Sequence, residues 1–169
     1  MNADFGTYGL ILLTFAQVAA TLTGFIGVVF VLGERQRGTL DTHEAQAVFH
    51  LLFSALSALF SSLLAGILLA YYASDQHTAW RIANALVGAI HFFGAGRLAF
   101  EARRNMDGIP RASLMVALGM TVAGLGFAAA DGYFVHEVAL LFMLSTLWLL
   151  GVTVISFVSL MTSAAQPST

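Results

Sequence analysis

Between residues 43 and 61, six polar side chains recur at spacings of 3, 4, 4, 3 and 4: His43, Gln46, His50, Ser54, Ser57 and Ser61. At about 100° per residue they fall within roughly 80° of arc on one helix. The chemistry open to this set is transfer. Hydroxyls and amides can replace water around a passing solute, and an imidazole exchanges protons near neutral pH. The residues around them are apolar. In a bilayer each polar group then needs a partner, a cavity or a file of water.

Other segments carry weaker versions of the pattern. Thr14, Gln17, Thr21 and Gly24 share one helical face, and Arg81, Asn84, Gly88, His91 and Ala95 share another. Later segments offer only Thr121, then Ser145, Ser156 and Ser159. A polar pathway assembled from these residues would use His50, Ser54, Ser57 and Ser61, with Gln17, Asn84 and His91 beside them. His43, Gln46, Arg97 and Glu101 would form its cytoplasmic mouth.

The bland readings are equally physical. Serine and threonine can bond back to a carbonyl about one turn earlier. The row Ser54, Ala58, Ser62, Gly66 and Ala70 has the small side chains that let membrane helices pack closely. His50 and His91 are harder to absorb, but a neutral imidazole bonded to Ser, Thr, Gln17, Asn84 or a carbonyl would satisfy either ring. Arg97 and Glu101 stand at i, i+4, the spacing of an interfacial ion pair. Arg81, Trp80, Tyr71 and Tyr72 read as an interfacial anchor belt.

The elements that must hold these residues follow from composition. Hydrophobic residues make up 59% of the 169-residue chain and charged residues 9%, with mean hydropathy +0.85. Soluble domains carry about 25% charged residues, so this inventory cannot cover a water-exposed surface. Cysteine is absent, which excludes disulfides and thiol chemistry. The net charge of −2 argues for no nucleic-acid partner. No basic region precedes the first apolar block, so that block reads as part of the mature protein rather than a signal peptide.

A membrane helix needs about 20 mostly apolar residues. Five such spans are predicted, near residues 8–33, 43–73, 79–102, 110–130 and 134–162. The expected fold is all-α, one integral membrane domain over residues 1–169 built as a five-helix bundle. Asp41 with Glu44 reads as a capping box, Pro110 fits a first helical turn, and Gly38 and Gly132 read as stops. Arg35, Arg37, Arg103, Arg104 and Arg111 fall on one side and Arg81 alone on the other. The positive-inside rule then puts the N-terminus outside and the C-terminus in the cytoplasm, in a bacterial inner (plasma) membrane.

Three functions remain open on these residues. The first is a homo-oligomeric channel for ions or small solutes, lined by the stripe on the second helix. The second is a non-conducting membrane subunit or sensor that binds a partner through small-residue faces. The third is a haem-binding redox protein using His50 and His91. These lie about 10 Å and about 15 Å from the inner ends of their spans, and no further signature of haem accompanies them. Asp75, His77, Asp131, His136 and Glu137 gather on the predicted outer side, but without the i, i+4 histidine spacing of a metal site. No HExxH, GxSxG or phosphate-binding glycine loop is present, so an enzyme would have to be an intramembrane site, which nothing in the sequence requires, and no cofactor is expected.

Overall fold

The computed structural model describes residues 3–37, 42–104, 109–134 and 137–164, with side chains over most of those stretches. The described residues form five α-helices and no strand: α1 (Ala3–Arg37), α2 (Thr42–Tyr71), α3 (Gln76–Arg104), α4 (Ile109–Asp131) and α5 (Val138–Ala164). Each contains an apolar stretch of 18 to 26 residues, long enough to cross a bilayer.

The helix ends are set by backbone chemistry, and so differ from limits drawn by hydropathy. α1 runs on to Arg37, because charged residues continue a helix as readily as apolar ones. α3 starts three residues before its predicted limit. Asp75 is its N-cap, with Oδ1 accepting from the Thr78 amide at 3.1 Å. Pro110 lies in the first turn of α4, as expected.

The end of α4 is a Schellman motif. The Gly132 amide donates to Ala129 and the Tyr133 amide to Ala128. Gly132 has a φ of 92°, which an L side chain rarely adopts. α5 begins at Val138, four residues after the predicted start of its span. Gly38 and Asp41 lie outside the described residues.

The chain divides into two compact units, one comprising Met1–Leu63 with Thr146–Thr169 and the other Leu64–Ser145. In the first, Ala19 of α1, Ala58 of α2 and Leu149 and Leu150 of α5 form a buried cluster, flanked by Phe15, Leu22 and Leu59. Alanine at the contacts brings these helices close, so that dispersion between them contributes to holding the cluster. Phe25 and Phe157 add an edge-to-face contact at 5.5 Å.

In the second unit α3 and α4 meet along glycine. A Cβ added at Gly126 would stand 3.0 Å from the Asn84 carbonyl oxygen and from the Gly88 Cα. One added at Gly88 would stand 3.2 Å from the Ala123 oxygen, and one at Gly119 3.0 Å from the Ala95 Cβ. Arg81 donates from Nε to the Ala130 carbonyl at 2.6 Å, tying the start of α3 to the last turn of α4. Trp80 departs from the expected anchor belt: it is buried, with its ring 5.5 Å from that of Phe142.

Candidate functional site

The serines of the α2 stripe lie on the inner face of their helix. Ser54, Ser57 and Ser61 are buried. Ser61 donates to the Ser57 carbonyl at 2.6 Å, and the neighbouring Ser62 to Ala58 at 2.8 Å. Both hydroxyls are satisfied within α2, as expected of back-bonding serines. Ser57 differs. Its hydroxyl makes no hydrogen bond among the described residues.

Ser54 reaches across to α5, its Oγ lying 2.8 Å from Thr153 Oγ1. Thr153 also stands 2.9 Å from the Leu149 carbonyl, and Ser54 3.1 Å from that of Leu51. Two hydroxyl protons therefore face three contacts. The two shorter contacts take them if Ser54 donates to Thr153 and Thr153 to Leu149. Thr153 was not among the residues singled out from sequence. Its only signal was a position seven residues, about two turns, after the equally buried Thr146.

The remaining candidates are distributed differently. Gln17 is exposed, on the side of α1 away from Ala16 and Ala19, so it does not join the serines. His50 is half-buried, its ring edge-on to Phe49 at 5.9 Å. Arg97 and Glu101 form the ion pair their spacing suggests, Nε to Oε1 at 2.8 Å. The side chains of His43 and Gln46 lie outside the described residues.

Asn84 and His91 are both buried in the second unit. Asn84 uses both Nδ2 protons, donating to Trp80 at 2.9 Å and to Val138 at 2.8 Å, and so links α3 to the start of α5. Its Oδ1 is buried without a donor among the described residues. His91 Nδ1 lies 2.8 Å from the Val87 carbonyl, which can only accept, so Nδ1 carries the proton. Nε2 is then a bare lone pair in the neutral ring, also buried without a partner among the described residues. Between these two acceptors Gly88 is closed against α4. Their common face is therefore a helix seam at that point.

No group of three or more His, Cys, Asp or Glu is positioned to hold an ion among the described residues, and His136 lies outside them. Asp75 has its carboxyl held below its ordinary value of 3.8, chiefly by the Thr78 hydroxyl and amide, with smaller help from His77 and Arg81.

Searches against family models, characterised proteins and solved structures find no match for this chain.

Proposed function

We propose that the chain is a multi-pass membrane protein acting as a non-conducting subunit, whose role is to associate with a partner within the bilayer. The observation that carries this reading is the burial of Ser54, Ser57 and Ser61, with Ser54 spent on Thr153 and Ser61 on its own backbone. A conducting lining presents its hydroxyls to water. Here the Ser54 hydroxyl is turned to α5 and the Ser61 hydroxyl to its own backbone. Support also comes from α1, where Gln17, Thr14 and Thr21 are exposed on a helix apolar enough to cross the membrane. The arginine bias favours an N-terminus outside the cytoplasm.

A specific observation favours a second reading, the oligomeric channel for ions or small solutes. Asn84 Oδ1 and His91 Nε2 are buried acceptors on one helix, and ordered water would satisfy both. Flux measurements in proteoliposomes separate the two. A panel of ions and small solutes should show no flux above empty vesicles, for wild type and for Ser57→Leu and His91→Ala alike. Reproducible wild-type flux that either substitution abolishes would replace the first reading with the second.

A further inference from the structure

α1 buries Leu12, Ala16, Ala19 and Ile26 on one side. The opposite side, at about 100° per residue, carries Leu10, Thr14, Gln17, Thr21 and Gly24, all exposed. Gln17 lies near the middle of the uncharged run from Phe5 to Gly33. The two threonines need nothing further, because Thr14 donates to the Leu10 carbonyl at 2.9 Å and Thr21 to that of Gln17 at 2.8 Å. The Gln17 carboxamide, by contrast, makes no hydrogen bond among the described residues. Lipid tails offer neither donor nor acceptor, so an amide left facing them at mid-depth is strongly unfavourable.

We propose that this face of α1 is the seam of a homodimer, in which Gln17 pairs with Gln17 of a second copy across a twofold axis normal to the membrane. Three features select a second copy as the occupant. A carboxamide holds both donor and acceptor, so two of them satisfy each other without any other group. Copies inserted in the same sense bring the same residue to the same depth, so Gln17 meets its equivalent where two α1 helices cross at mid-span. No charge lies between Phe5 and Gly33, so the face calls for no charged partner.

The surroundings suit close approach. Ala20 and Gly24 are small residues four apart on the same flank, the spacing at which membrane helices touch backbone to backbone. A Cβ added at Gly24 or Gly27 meets nothing within 4 Å, so that flank is open in the single chain. The inference rests on the reading of the chain as an associating subunit and gives that subunit its partner.

The test uses the full-length protein in lipid vesicles at low protein-to-lipid ratio. Because the chain has no cysteine, single cysteines report without background. Leu10→Cys and Thr21→Cys should cross-link to dimers. Phe60→Cys, exposed near the middle of the Val48–Tyr71 stretch, should not. Gln17→Leu should weaken dimerisation, read by energy transfer between labelled copies, about five- to thirtyfold, the range for one interhelical polar pair in model helices. Gln17→Asn should retain most of it. Since Gln17 is exposed, circular dichroism should show the same helix content for all variants.

Equal cross-linking at Phe60→Cys, or an unchanged dimerisation constant in Gln17→Leu, would overturn the seam. Wild type that stays monomeric in pure lipid, but cross-links through α1 to a different protein in native membranes, would overturn the second copy and leave the subunit reading standing. Conduction in the flux panel would do the reverse.

Discussion

The hydroxyls of Ser54 and Thr153 lie 2.8 Å apart and join α2 to α5 inside the first unit. Each also lies near a carbonyl of its own helix. At Ser54 the polar stripe that looks most like a pathway in the sequence is therefore a stitch between helices. A hydroxyl pair excluded from water stabilises the seam only while both members remain, because either one alone can fall back on its own backbone.

A double-mutant cycle measures that stitch. Ser54→Ala and Thr153→Val should each destabilise the folded protein by about 1 kcal/mol, with a coupling of about 0.6 to 1.7 kcal/mol. Reversible unfolding in mixed detergent micelles supplies the four free energies. Additive effects would mean that the two hydroxyls act separately.

Two glycines of α4 should respond with opposite signs. Gly126→Ala puts a methyl 3.0 Å from backbone atoms of α3, which have no rotamer to change, and should cost about 1 to 3 kcal/mol. Gly124→Ala meets nothing within 4 Å and should be neutral or stabilise the helix by up to about 1 kcal/mol. Thermal unfolding of both variants in one detergent checks the contrast.

Asn84 should be the most sensitive polar residue of the second unit. Asn84→Ala removes both donors and leaves the carbonyls of Trp80 and Val138 with fewer bonds in a buried setting. A loss of about 1 to 3 kcal/mol is expected. Asn84→Asp turns an acceptor toward two carbonyls and should be worse at neutral pH. Unfolding midpoints for the two variants would settle the order.

How much of this was legible beforehand varies by residue. The five helices were readable because uncharged runs of bilayer length have few other uses in so apolar a chain. Gly132 as a stop was readable too, since its left-handed φ is a local demand. Helix register in space was not. Nothing local says whether Gln17 faces a neighbour or lipid, because a polar face has the same period in either case. Ser54 was visible, whereas Thr153 hid in an apolar run where one more threonine looks unremarkable. The seam glycines Gly119 and Gly126 hide for a related reason: a residue whose role is to be small carries no polar atom to mark it.

Acid should act on the α3 N-terminus. The Asp75 carboxyl has its folded pKa lowered by its bonds to Thr78, so its stabilising contribution is present above the ordinary value of 3.8. It is lost as pH falls below that value toward the folded pKa. Melting temperatures of wild type and Asp75→Asn should differ least at the acid end of a scan through that region and most above it. A gap that stays constant with pH would show that the carboxylate charge contributes nothing.

A dry seam along the three α2 serines is tested most directly at Ser57, the one of them whose hydroxyl has no partner among the described residues. The measurement is the rate at which a charged, water-soluble thiol reagent labels Ser57→Cys in sealed vesicles, against Tyr133→Cys, whose side chain is exposed between α4 and α5, as the accessible control. Labelling at Ser57 should be absent until the protein is denatured, while Tyr133→Cys reacts wherever its side of the membrane faces reagent. Labelling of Ser57→Cys in the folded protein at a rate near that of the control would contradict the dry seam and put water on the stripe.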